Sequence, residues 1–166
     1  MKILIVADDR DALKDFSISL KPTGFEIVET DNPKTALDLY IKQGFELVIL
    51  DVSVQDKWEI KLLSELQELN PKVRVVIVSA YWDLEKVNSA INNHAAALFE
   101  KPFNFKKLVD TIISIELEIK NLNYIKMNFK QLDKEIEKLW KAYDDWKRLN
   151  NKFRLLKDNY LKPNYK

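Results

Sequence analysis

The sequence predicts an α/β chain: a five-stranded parallel doubly wound sheet, followed by a long helical extension. Three observations predict it. Short, nearly all-apolar runs alternate with amphipathic stretches between Lys2 and Lys101. Acidic residues stand directly after the first and third of those runs. From Phe103 to Lys162 there is neither glycine nor proline, and apolar residues recur every three or four positions.

The first strand is Lys2-Ile3-Leu4-Ile5-Val6-Ala7, almost wholly apolar, as a strand covered on both faces must be. Leu47-Val48-Ile49-Leu50 and Val73-Arg74-Val75-Val76-Ile77-Val78 repeat that signature. Glu26-Ile27-Val28-Glu29-Thr30 alternates, which suits an outer strand, and Ala95 to Phe99 is a shorter, weaker fifth candidate. Between them lie helical stripes. Leu13, Phe16 and Leu20 mark the first, and Ala36, Leu37, Tyr40 and Ile41 the second. Ile60, Leu63, Leu66 and Leu69 mark the third, and Leu84, Val87, Ala90 and Ile91 the fourth. Pro33 suits a first helical turn capped by Asn32 or Asp31, and Asn70-Pro71 closes the third helix. A repeated strand–helix order implies a mainly parallel sheet with helices on both faces. Five strands in roughly 100 residues is the size of a flavodoxin-like domain.

Beyond Lys101-Pro102 the pattern changes. Leu108, Ile112, Ile115, Ile119 and Leu122 are followed by Phe129, Leu132, Ile136, Leu139, Tyr143 and Trp146. Leu149, Phe153, Leu156 and Tyr160 continue with a phase slip. This is a coiled-coil or helix-hairpin pattern. Asn121-Leu122-Asn123 and Asn150-Asn151 are the natural places for a turn, and the slips favour a short antiparallel hairpin over one rod. The expected division is residues 1–120 and 121–166, with the extension's helix continuous with the last helix of the first part.

Composition narrows the function classes. With 46% hydrophobic and 32% charged residues among 166, the chain can build a core and remain soluble. The 27 basic and 26 acidic residues nearly cancel, so no general pull toward nucleic acid is expected. There is no cysteine and one histidine, His94, which excludes disulfides, thiolate sites and multi-histidine metal sites. The first apolar run is too short to cross a membrane or to act as a secretory signal, so the expected location is cytoplasmic.

Strand ends carry the chemistry. In a parallel sheet the carboxyl ends of the strands open onto one crevice. Asp8 and Asp9 follow the first strand, Asp51 the third and Ser79 the fourth, and Lys101 lies two residues past Phe99. Carboxylates gathered this closely repel unless a cation sits among them, and oxygen ligands suit Mg²⁺. A lysine and a hydroxyl beside them fit phosphoryl transfer onto a carboxylate.

Four stretches, Lys2 to Asp9, Leu47 to Asp51, Val78 to Tyr81 and Phe99 to Phe103, together resemble a response-regulator receiver domain of two-component signalling. The resemblance covers roughly residues 1–120, with ordinary separations of 28 residues from Asp51 to Ser79 and 50 to Lys101. It implies that Asp51 is the phosphoacceptor and that Asp8, Asp51 and the backbone carbonyl of Ser53 ligate Mg²⁺. Asp9 is either a further ligand or a helix-start charge. Ser79 would be the hydroxyl that meets the phosphoryl group, Lys101 its ion-pair partner, and the Lys101–Pro102 bond cis. Three departures stand out. The first of the family's two acidic places after strand one holds Ala7, unless Asp8-Asp9 is the shifted pair. The aromatic switch place holds Leu98, with Phe99 beside it. Gln55 and Glu59 replace the family's proline and glycine after the phosphoacceptor.

The resemblance implies a sensor histidine kinase or phosphotransfer protein as donor, and a signalling domain that is not itself an enzyme. Output through altered self-association of the helical extension, expected as a homodimer, or through partner binding is the leading expectation. The alternatives are a phosphorylation-independent pseudo-receiver serving as a dimerisation or scaffold module, and a receiver-plus-linker fragment of a larger transcriptional regulator. A small Mg²⁺-dependent phosphohydrolase ranks lower, because the crevice offers no evident second acid/base residue.

Overall fold

The computed structural model describes residues 1–52 and 58–160. Its elements run β1 (Lys2–Ala7), α1 (Arg10–Leu20), a 3-10 turn (Lys21–Thr23), β2 (Glu26–Thr30), α2 (Pro33–Gln43) and β3 (Leu47–Val52). They continue as α3 (Trp58–Leu69), β4 (Arg74–Ser79), α4 (Leu84–Asn92), β5 (Ala97–Glu100) and α5 (Phe105–Tyr160). The five strands form one parallel sheet in the order β2-β1-β3-β4-β5. Alternating β2 sits at one edge, where a half-buried strand belongs, and the all-apolar strands occupy the middle.

Two cores follow from the pleat. Leu4, Val6, Val48, Leu50, Val75 and Ile77 face one way and meet Tyr40 of α2, Leu62, Leu63 and Leu66 of α3, and Ala90 of α4. Ile3, Ile5, Leu47, Ile49, Val76 and Val78 face the other way and meet Phe16 and Leu20 of α1 and Leu108 and Ile112 of α5. Fully burying one such side chain contributes about 1.5–3 kcal/mol. Caps set the helix starts. Asn32, rather than Asp31, accepts from the Lys34 and Thr35 amides with Pro33 in the first turn, and Asp83 accepts from Lys86 N–H at 2.7 Å.

Several stripe residues lie elsewhere than the periodicity predicts. Ile41, Leu69, Leu84 and Ile91 are exposed, while Leu62 is buried. Periodicity finds a face only to within about one residue per turn, and the layer each helix packs against selects the residues that are covered. The side chain of Ile60 lies outside the description.

The chain divides into two compact units, Met1–Ile119 and Lys120–Lys166. The expected hairpin is absent from the described residues: α5 is one helix that runs through Asn121-Leu122-Asn123 and Asn150-Asn151. An asparagine in a helix interior costs only about 0.7 kcal/mol relative to alanine, and without glycine or proline nothing forces a turn. No helix among the described residues is long and apolar enough to cross a membrane.

Candidate phosphoacceptor site

Strand register brings the site together. Asp51 lies inside β3, one residue before its end, opposite Ala7 of β1 and Val78 of β4. Ser79 pairs with Val52 on one side and Glu100 on the other, and the Lys101 amide donates to Ser79 O at 2.8 Å. Residues separated by tens of positions thus share one sheet edge, because parallel strands all end on the same side.

Asp51 is 3% exposed. Lys101 Nζ donates to its Oδ2 at 2.6 Å, a charge-assisted bond of short length. Burial pushes the Asp51 carboxyl above the usual carboxylate range; the hydrogen bond and charge of Lys101 pull it down, and the charges of Asp8 and Asp9 push it up again. The Lys101–Pro102 bond is cis, as expected.

Asp8 and Asp9 are exposed, and both are near enough to act on Asp51. Asp9 caps α1, its Oδ1 accepting from Asp11 N–H at 2.9 Å. Ala7, in the place where the family carries an acid, is fully buried. Ser79 is fully buried; its hydroxyl donates to Tyr81 O at 2.8 Å and accepts from Tyr81 N–H at 3.2 Å. It does not cap α4, since Asp83 does. Ser53 and Gln55 lie outside the described residues, as does the side chain of Glu59.

Leu98 is 36% exposed on β5, while Phe99 is half-buried and packs on Phe103, with ring centroids 5.8 Å apart. Pro102 lines a surface cavity of about 440 Å³ together with Asp9, Asp11, Asp15 and Lys101. The contribution of Trp82 was missed. Its indole N–H donates to Phe99 O at 3.3 Å, and its ring packs on the α3 side of the sheet. A lone tryptophan in a loop carries no periodic signal that would have marked it.

Among the described residues no group of three or more acidic or histidine side chains is gathered as a metal would require. The donor chemistry nonetheless fits a hard cation. Asp51 is a buried acid within electrostatic reach of Asp8 and Asp9, and oxygen donors of this kind are those Mg²⁺ prefers.

Residues 3–113 match the response regulator receiver domain family. The chain belongs to that family. It is 31% identical over 111 residues to response regulator protein FleR of Pseudomonas aeruginosa, which covers 67% of this chain and 24% of FleR. It is 27% identical over 111 residues to sporulation initiation phosphotransferase F of Bacillus subtilis, covering 67% of this chain and 90% of that protein. A CheY-like receiver domain structure from Methanospirillum hungatei superposes with a TM-score of 0.66 at 26% identity, over 72% of this chain and 97% of the other. The chain spans less than half the length of several curated relatives that it matches.

Proposed function

We propose that Asp51 accepts a phosphoryl group from a phosphohistidine on a sensor histidine kinase or phosphotransfer protein, and that the signal leaves through altered self-association or partner binding of the helical segment. The observation that carries this reading is the buried Asp51 carboxylate, clasped by Lys101 at 2.6 Å at the carboxyl end of β3. That phosphotransferase F bears a phosphoryl-transfer name and matches this chain over 90% of its own length adds support.

In the transfer, a carboxylate oxygen of Asp51 attacks phosphorus while the phosphorus–nitrogen bond of the donor breaks. The electron pair leaves with the imidazole, and an aspartyl phosphate remains. Lys101 contacts Asp51, which supports a role for its ammonium in holding a phosphoryl oxygen. Ser79 can offer its hydroxyl to another once it releases Tyr81. Asp8, Asp51 and the Ser53 carbonyl would hold Mg²⁺, with Asp9 as a further candidate, and the ion supplies charge neutralisation at the phosphoryl oxygens. The Oδ1 of Asp9 already accepts the capping bond of α1, which leaves its Oδ2 for a cation. The reaction is that of a cytoplasmic signalling domain and needs no catalytic turnover.

A second reading rests on Ala7. An apolar residue directly opposite Asp51 removes one carboxylate from the crevice, which favours a phosphorylation-independent scaffold whose helical segment acts by itself. The low coverage of FleR suits a third, a receiver and linker belonging to a longer regulator.

Intact mass after incubation with Mg²⁺ and acetyl phosphate separates the first two. Wild type should gain one phosphoryl adduct, and Asp51→Asn should gain none. No adduct on wild type, under conditions that label another receiver, would leave the scaffold reading.

A further inference from the structure

The unit from Lys120 onward carries its own pattern. Counting from Leu122 as position a of a heptad, the a places hold Leu122, Phe129, Ile136, Tyr143 and Asn150. The d places hold Ile125, Leu132, Leu139, Trp146 and Phe153. Leu149 and Leu156, which read as a slip in the apolar pattern, fall at g, beside the seam, while Phe153 keeps its d place. Positions b, c and f are polar throughout except for Tyr124, Met127 and Leu155. A strict seven-residue repeat of this kind drives left-handed supercoiling about a second helix.

The apolar seam is uncovered. Its side chains range from 43% exposed at Ile136 to 70% at Phe153. Nine large apolar groups per chain, each half-exposed and offering on the order of 100 Å², would bury on the order of 1,500–2,000 Å² between two copies, the size of a specific interface.

A concavity marks the seam as a surface that accepts a partner's knob, and polarity chooses the direction. Ile136, Leu139, Trp140 and Tyr143 line a concavity of about 400 Å³ on the helix surface. These are successive a, d, e and a residues, the hole that receives a d-position knob in a parallel pair and an a-position knob in an antiparallel one. Contacts of Tyr143 with Trp140 at 6.1 Å and with Trp146 at 6.0 Å between ring centroids hold its walls. Polarity is the second observation. Parallel, in-register pairing sets Asn150 against Asn150 of the second copy, where the two amides can bond to each other. It also places no like charges together at g and e: Asn121 faces Lys126, Asn128 faces Asp133, Glu135 faces Trp140, Ala142 faces Lys147 and Leu149 faces Arg154. Antiparallel pairing over the same stretch sets Asn150 against Ile125 and makes Lys126 and Lys147, both at e, flanking neighbours. It buries an unpaired amide twice and opposes two cations.

We infer that residues 122–153 form a parallel, in-register two-stranded coiled coil with a second copy of this chain, Asn150 locking the register. The inference rests on the reading that the helical segment mediates self-association, and adds its partner, direction and register. The pair forms whether or not Asp51 is phosphorylated, so phosphorylation would act on how the paired copies are arranged or on what they bind, not on whether they pair.

Because the chain has no cysteine, introduced thiols report the geometry directly. Full-length Ile125→Cys and Phe153→Cys should each form a homotypic disulfide on mild oxidation, converting most of the chain to covalent dimer, with and without acetyl phosphate. Sedimentation of the reduced proteins should give a dimer mass. Asn150→Leu should melt at higher temperature yet populate oligomers larger than dimers. A dimer that fails to cross-link at Ile125→Cys but does so in a mixture of Ile125→Cys with Asn150→Cys is antiparallel, and overturns the inference while leaving self-association intact. A monomer at tens of micromolar, with and without acetyl phosphate, overturns both, and leaves the mass test on Asp51 unaffected.

Discussion

Ile49 and Leu139 are both branched aliphatic side chains on regular elements, yet Ile49 is fully buried and Leu139 is 69% exposed. The strand residue belongs to the unit Met1–Ile119, where every central strand finds helices for both of its faces. The helix residue belongs to the unit from Lys120 onward, whose stripe is as regular but has no second layer among the described residues of that unit. Regular apolar patterning therefore says that a face will be covered, without saying by what. In the first unit the cover is the same chain; in the second the described residues of the unit supply none, and the proposed cover is a second copy.

Truncations at equivalent side chains sharpen that contrast. Leu63→Ala, in the core beneath α3, should cost 2–5 kcal/mol, the usual range for a buried leucine, at every protein concentration. Leu139→Ala should leave the urea midpoint of the receiver unit unchanged and instead weaken the dimer. Urea titrations at two concentrations a hundredfold apart would show it: equal losses from the two substitutions would erase the distinction between the units.

A charge offers a second way in. Burial holds the Asp51 carboxyl above its ordinary value of 3.8, so the folded protein binds this proton more tightly than the unfolded chain does. The stabilising contribution of this group is full below about pH 3.8 and is lost as pH rises through the raised folded value. Asp51→Asn does not titrate. In EDTA it should melt above wild type at pH 7, with the gap closing as pH falls toward 4. A wild type that is the more stable of the two at pH 7 would mean that the Lys101 ion pair outweighs burial. The smallest effect is local: Asn32→Ala should remove the two capping bonds of α2 and cost about 1 kcal/mol, with phosphoryl labelling of Asp51 unchanged.

Much of this was legible in one dimension. The apolar runs of β1, β3 and β4 named the central strands, since only strands covered on both faces lack alternation. Asn32 with Pro33 marked a helix start. Asp51, Ser79 and Lys101 could be singled out because strand ends in a parallel sheet share one edge. Less legible was everything that depends on a neighbour. The buried side of α3 includes Leu62 and leaves out Leu69, and Ile41, Leu84 and Ile91 face solvent; a periodic stripe gives no measure of how far the facing layer extends. Asn121 and Asn150 read as turn signals, although a helix tolerates both and Asn150 suits a coiled-coil seam.

The sequence by itself determined the order of strands and helices, the residue types at the strand ends and the heptad frame from Leu122, because these rest on local propensity and period. Only the tertiary structure decided that Lys101 reaches Asp51 Oδ2, that the Ser79 hydroxyl is held by Tyr81, and that Trp82 is tied to the Phe99 carbonyl. Those are matters of side-chain reach between residues 2 to 50 positions apart, and such distances exist only once the sheet has closed them.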